Sequence, residues 1–320
     1  MLSAAGSREL SVHTFELYFA AAIIAGTPLL LAATGELACE KVGLLNLGIE
    51  GLMLVGGVVG VIVSLKTHNP EWGLLAAAGA GAAFNLLLYG LPVVLLGTEQ
   101  VLPGFGLWFV GLGLSQLLGS NYQNTSVNGA TTVNLPLIDR IPIVNALIAR
   151  YPWPVYLAFL LPFVLAWMLR NTRHGRNMRA IGEDPQAAAS GAGIAVRRWR
   201  MLYVGVNGLL GGFAGAFLAV IAIGQWGTDL TAGRGFVALA VVIFAAWRPL
   251  RLIVGSYVIG GLLILAELGG ALGWPVSSAL LNMMPYIGAV LILVIWALRA
   301  RERGESAAPA ALGTRMVHNS

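Results

Sequence analysis

Charge is what this sequence has least of. Only 10% of its 320 residues are Asp, Glu, Lys or Arg, against 58% hydrophobic ones, and the mean hydropathy is +0.80. Soluble domains carry about a quarter charged residues, so this chain cannot cover a water-facing surface. The same composition excludes intrinsic disorder, which needs low hydrophobicity and high charge. Cys39 is the single cysteine, which rules out an intramolecular disulfide and a Cys-based metal cluster. The four histidines, His13, His68, His174 and His318, lie far apart and form no HExxH pair, so no metal site is expected. No GxSxG elbow occurs. The only lysines, Lys41 and Lys66, do not follow a GxxxxG run, so there is no P-loop. An enzyme is therefore not the expected reading, and any ATP that drives the chain must bind to a partner.

What remains is apolar sequence in long blocks. Nine runs are candidates for the roughly 20 residues that cross a bilayer: 15–33, 44–65, 73–96, 101–119, 153–169, 201–223, 235–247, 252–268 and 282–298; the seventh is short, and the loop before it is a candidate to contribute. The runs are continuous rather than alternating, which argues against a membrane β-barrel. The expected fold class is all-α, a polytopic transmembrane helical bundle of about nine spans, within a range of eight to ten. The 42 glycines suit close packing of membrane helices.

Basic residues set the expected orientation. Arg170, Arg173, Arg176, Arg179, Arg197, Arg198 and Arg200 share the segment 170–200, which the positive-inside rule makes cytoplasmic. Alternating the spans outward puts Lys41, Arg248, Arg251 and the tail from residue 300 inside as well. Only Arg8, Lys66, Arg140, Arg150 and Arg234 fall outside. The N-terminus is then outside and the C-terminus cytoplasmic. The pI of about 9.7 reflects this bias rather than nucleic-acid binding. The domain reading is a 1–14 extracytoplasmic segment without a basic signal-peptide n-region, one membrane domain over 15–299, and a flexible cytoplasmic tail over 300–320.

Two polar loops stand out. Residues 120–152 face outside, either as a functional loop or as a cap on the bundle. In the cytoplasmic loop, Asp184 is a good N-cap, Pro185 suits the first turn, Ala187, Ala188 and Ala189 propagate a helix, and Gly191 or Gly193 can end it. This short, small-faced helix is either a docking element or a plain surface turn. Polar groups within apolar runs are functional candidates by default. Asn46 and Glu50 are one turn apart and are expected on one face of the second span. Glu36, Glu40 and Lys41 are expected to form an exposed cytoplasmic connection before it. Asn85 and Asn207 either line a pathway or bond neighbouring helices. Trp108 and Phe105 either line a pore or pack in the core.

Several stretches occur in an order that resembles a family: "GELACEKVGLLNLGIEGLMLVGG", "GTEQVLPGFGLWFVGLGLSQLLG", "RNMRAIGEDPQAAASGAGI", "NGLLGGFAGAFLA" and "GTDLTAGRGFVALAVVIFAAWRPL". Together they resemble permease subunits of bacterial ABC importers, of the nucleoside and simple-sugar type related to ribose and branched-chain amino-acid permeases. The resemblance covers about residues 25–298. It implies a translocation path for a small solute in the bacterial plasma membrane. It also implies ABC ATPase subunits as partners, a second permease subunit (related or identical) and an extracellular solute-binding protein. No cofactor is implied on this chain, since ATP and Mg would sit on the ATPase. Gly182, Glu183, Asp184, Pro185, Ala187, Ala188 and Gly193 match the family's ATPase-coupling loop. Asn46, Glu50 and Gly51 match its signature at the second span, and Arg234 its entry to a late span. Trp108 and Asn207 are further path candidates. The chain departs from the family at Ala187, where older coupling motifs carry Glu, at Asp184 in place of Asn, and at Pro103 in place of a small polar residue. The competing reading is a secondary transporter or channel without an ATPase, for which Glu50 is the one serious ion-site candidate. Glu50 is expected to pin helices rather than touch solute.

Overall fold

The computed structural model of the chain describes residues 2–127, 151–277, 279–281, 283–288, 290–291, 294 and 308–314, with side chains from residue 16 onward. The helices are α1 (Leu2–Glu40), α2 (Ile49–Thr67), α3 (Pro70–Asn85), α4 (Val101–Gly119), α5 (Trp153–Asn171), α6 (Arg173–Glu183), α7 (Pro185–Ala192), α8 (Val196–Ala216), α9 (Arg234–Phe244) and α10 (Pro249–Ala271). No strand occurs among the described residues. Two isolated bridges, Gln123 to Trp226 and Ser126 to Gln225, join the far ends of α4 and α8.

Among the described residues, seven helical stretches are long and apolar enough to cross a membrane: Glu16–Glu40, Ile49–Thr67, Pro70–Leu95, Val101–Tyr122, Trp153–Asn171, Val196–Ile223 and Pro249–Ala271. Two of them continue as π-helix, over Leu86–Leu95 and Phe217–Ile223. Pro92 lies in the first of these and has no N–H to give a tight helical ladder. The second ends at Gly224, whose φ of 76° stops the helix.

The seventh candidate span, already short in the sequence, is shorter still as a helix. The run 235–247 gives only α9, of 11 residues. At 1.5 Å per residue that is about 16 Å, roughly half of a bilayer core. In the run 282–298 the described residues 283–288, 290–291 and 294 are helical; the others, with Arg140, Arg150 and most of the 120–152 loop, lie outside the described residues.

The core is built around α8, which packs on α1, α2 and α3. Contact is backbone to backbone. A Cβ on Gly56 of α2 would sit 2.1 Å from the Gly212 carbonyl oxygen, and one on Gly212 would sit 2.3 Å from that of Ala77 in α3. Only glycine permits this approach, which substitutes for the hydrophobic drive that lipid cannot supply.

The first span overturns one expectation. It does not stop at residue 33 but runs on to Glu40, and Glu36 and Glu40 are fully buried rather than exposed. The Glu36 carboxylate finds partners in α8 and the α1–α2 turn, and the Glu40 carboxylate one in the turn after α9, so the polar tail of the run stays inside the bundle. Residues 308–314 lie within the tail expected over 300–320. They form a turn, with Pro309 and Ala311 buried, against the end of α6 and the α1–α2 turn.

Candidate functional site

The α1–α2 turn carries a closed set of polar contacts. The Asn46 backbone N–H donates to Glu36 Oε1 at 3.0 Å, and Asn207 Nδ2 donates to Glu36 Oε2 at 2.7 Å. Asn46 Nδ2 donates to the Oδ1 atoms of Asn85 at 2.9 Å and Asn207 at 2.8 Å. Asn85 Nδ2 donates to Asn207 Oδ1 and to the Val204 carbonyl, each at 2.8 Å. All four side chains are fully buried. A buried polar group without a partner is costly, and this network leaves few such atoms. It ties α1, α3 and α8 to the turn, so Asn46, Asn85 and Asn207 bond helices and meet no open path in this structure. Glu40, one turn after Glu36, accepts from Trp247 Nε1, which holds the turn after α9 against the end of α1.

Glu50 stands apart from Asn46, against the expectation that they share a face. Asn46 lies in the turn before α2, while Glu50 is the second residue of the helix. The Glu50 carboxylate faces the start of α9. Its Oε1 accepts from Thr231 Oγ1 at 2.5 Å and from the Gly233 N–H at 2.9 Å, and its Oε2 accepts from the Gly235 N–H at 2.6 Å. The free amides at a helix N-terminus carry partial positive charge, and a carboxylate complements it.

The backbone before α9 is irregular. Ala232 and Gly233 have φ of 44° and 78°, and Asp229 has φ of 60°. Trp226, 1% exposed, anchors this stretch higher in the bundle: a Cβ on Gly57 would lie 3.3 Å from its ring. The chain thus descends from the level of Gly57 on α2 to that of Glu50, one and a half to two turns lower, before α9 begins. Non-helical backbone at membrane depth is tolerated only where protein satisfies it or a cavity meets it. Here Glu50 satisfies it.

The other candidates cluster around this half-helix. Gly51 lets α4 approach, since a Cβ there would sit 2.7 Å from the Leu107 carbonyl. The next residue, Trp108, meets Phe236 of α9 edge-on at 5.0 Å and Phe105 at 6.2 Å. Trp108 and Arg234 are half-buried, and the Arg234 guanidinium donates to the Leu230 carbonyl at 3.3 Å. Glu50, Gly51, Trp108 and Arg234 are thereby brought together, while Asn46 and Asn207 belong to the neighbouring network.

The second site is the short α7. Asp184 caps it, its Oδ1 accepting the N–H groups of Gln186 and Ala187 at 2.9 Å each. Pro185 is its first residue, and Gly193 ends it with φ of 63°. Only Ala188 is buried; Glu183, Asp184, Ala187 and Gly193 are exposed. A Cβ on Gly191 or Gly193 would meet nothing within 4 Å. Gly182, by contrast, is buried against the Lys41 carbonyl, 2.5 Å from its would-be Cβ. Burial pushes the Lys41 ammonium below its ordinary range, opposed by the nearby carboxylates of Glu183 and Glu40. The loop 170–200 and Lys41 therefore lie on one face of the bundle.

Among the described residues no group of three or more His, Cys, Asp or Glu side chains is placed to hold a metal ion. A capped half-helix thus lies inside a bundle of long apolar helices, with a small exposed helix at one end.

Residues 18–295 match the family described as "Branched-chain amino acid transport system / permease component". The chain belongs to this family. It is 34% identical over 318 residues to a putative glucose ABC transporter permease protein, TsgC13, of Haloferax volcanii, covering 91% of this chain and 94% of that protein. It is 30% identical over 320 residues to the nucleoside ABC transporter permease protein NupC of Lactococcus lactis, covering 96% and 98%. The guanosine ABC transporter permease protein NupQ of Bacillus subtilis is 27% identical over 296 residues, covering 88% and 92%. The chain is thus a multi-pass permease component of an ABC transporter rather than an enzyme, and this kinship displaces the secondary-transporter alternative.

Sequence reasoning missed Glu36, Glu40, Gln100 and Thr231 as structural partners. The first two had a visible signal, since i and i+4 put both carboxylates on one face of α1.

Proposed function

We propose that the chain forms the translocation path of an ATP-driven importer for nucleosides or simple sugars, in the bacterial plasma membrane. The observation that supports this reading best is α7. It is capped at both ends, exposed along most of its length and faced by alanine and glycine, so a partner's groove can approach its backbone closely. Together with the end of α6 (Gly182, Glu183) and its caps Asp184 and Gly193, its residues Pro185, Ala187 and Ala188 form the element on which an ABC ATPase pushes. ATP and Mg belong to that ATPase. The path opens between this chain and a second permease, related or identical, and an extracellular binding protein delivers solute. The chain makes about nine crossings in this reading, with the N-terminus outside, the C-terminus inside and one membrane domain over 15–299. Nucleosides and sugars are proposed because relatives of similar overall coverage are named for each.

On this reading Glu50 fixes the half-helix α9, and Trp108, Phe236 and Arg234 bring aromatic and cationic groups to its entrance. The state change is a rigid-body rearrangement driven from α7 through α6 and α8. Copurification with candidate ATPase and permease subunits, followed by ATP-dependent uptake of labelled guanosine and of labelled glucose, tests the assignment. Replacing Gly182–Gly193 by a flexible linker should abolish uptake. Uptake that survives the replacement would sink the coupling role of α7.

A further inference from the structure

The turn at residues 309–314 has no role in the reading above. It closes on itself: the Leu312 N–H donates to the Pro309 carbonyl at 3.1 Å, and Thr314 Oγ1 donates to that of Ala311 at 2.8 Å. It then touches three separate parts of the bundle. The Ala311 N–H donates to the Gly182 carbonyl at 2.9 Å. Gly182 is two residues before Asp184, the cap of α7. The Thr314 carbonyl accepts from Gln100 Nε2 at 3.0 Å, at the start of α4. The Ala311 methyl lies 3.0 Å from where a Cβ on Gly43, in the α1–α2 turn, would stand.

Gln100 connects these contacts. Buried to 1% exposure, it donates to the Gly43 carbonyl at 3.2 Å as well as to Thr314, and its Oε1 accepts from the Leu45 N–H at 2.7 Å. The same α1–α2 turn is held from the other side by Arg200 of α8, whose Nε donates to the Val42 carbonyl at 3.1 Å. The base of α7, the start of α4 and the α1–α2 turn therefore meet at one short segment. Further along, α4 carries Trp108, which packs on Phe236 of the half-helix.

We infer that residues 309–314 are a strap that positions the base of α7 against α4 and the α1–α2 turn, so that displacement of α7 reaches α4 as well as α6 and α8. Ala311 and Gln100 are its positioning residues. This rests on the reading of α7 as the ATPase-docking helix. A surface cover would protect the bundle but would not set how much solute moves per ATP. A strap sets that ratio.

The test uses the full chain with its ATPase, second permease and binding protein in proteoliposomes, and it reads ATP hydrolysed per labelled solute imported, with guanosine and glucose as parallel probes. Replacing residues 309–314 by a Gly-Ser segment of equal length should raise that ratio at least five-fold. Ala311→Pro, which removes the single N–H to Gly182, should raise it in the same direction, and Ala311→Gly, which keeps that donor, should stay near wild type. If the Gly-Ser chain does not assemble, the two Ala311 variants decide. A ratio unchanged in Ala311→Pro would overturn the strap. Wild-type liposomes that import neither probe with ATP, or import that survives a linker in place of Gly182–Gly193, would instead mark failure of the underlying coupling reading and overturn the strap with it.

Discussion

The Glu50 carboxylate accepts the Gly235 N–H at 2.6 Å, and a Cβ on Gly235 would stand 2.5 Å from the Glu50 Cα. The start of α9 is thus pressed onto the start of α2 with no side chain between them. Both the hydrogen bond and the close approach depend on what is absent at position 235.

Glu50→Gln tests the carboxylate. Each of its two oxygens faces a backbone N–H, that of Gly233 on Oε1 and that of Gly235 on Oε2, which can only donate. A glutamine must turn an NH₂ toward at least one of them, leaving a buried amide unpaired at about 1–3 kcal/mol. The substitution also removes the negative charge at the helix N-terminus. Uptake should fall at least ten-fold, and the detergent-solubilised protein should unfold at a lower temperature. Wild-type values in both assays would show that Glu50 does not hold α9.

Gly235→Ala should behave as a core lesion, because the added methyl meets the Glu50 backbone. Gly113→Ala is the control, since nothing lies within 4 Å of its Cβ position. Thermal midpoints of the two variants should separate, with Gly113→Ala at or slightly above wild type because alanine favours helix by up to about 1 kcal/mol. Equal midpoints would mean that α2 and α9 are not in this contact.

These residues also show what was legible beforehand. Apolar length revealed most of the spans, because a bilayer imposes about 20 residues on any crossing helix. The α7 caps were legible because capping is local chemistry: Asp184 bonds residues two and three places on. Glu36 was misread because its partner Asn207 lies 171 positions away: the i, i+4 spacing to Glu40 puts two carboxylates on one face of α1 but does not point to that partner. The run 235–247 is apolar enough for a span, but the backbone turns at Ala232 and Gly233 and the Glu50 cap fix it as a half-helix. No hydrophobic pattern marks 309–314, whose place depends on a tertiary contact with Gly182.

Glu36 and Glu40 neighbour each other on α1 but make opposite predictions. Both Glu36 oxygens accept from donors, Asn46 N and Asn207 Nδ2. Glu36→Gln must set an NH₂ against one of them and break the network. Glu40 uses one oxygen for Trp247, and the other meets no donor among the described residues. Glu40→Gln keeps an oxygen for Trp247 and points its NH₂ toward Glu36. Membrane-inserted yield should therefore fall several-fold for Glu36→Gln and hold, or rise, for Glu40→Gln. Equal losses in the two would contradict the arrangement.

Asp184→Ala removes the acceptor for two amides at the start of α7, a loss of about 1 kcal/mol for a typical N-cap. Helix α7 is only 8 residues long, too short to hold together by propensity alone. Its ends should fray, so that the ATPase meets a less ordered element. Solute-stimulated ATP hydrolysis should drop several-fold, while binding of the ATPase weakens less, because the alanine and glycine face remains. Asp184→Asn, which keeps an acceptor oxygen, should restore most of the stimulation. If Asp184→Asn is as defective as Asp184→Ala, the charge of Asp184 and not its cap is what the ATPase reads, and α7 docks by electrostatics rather than by shape.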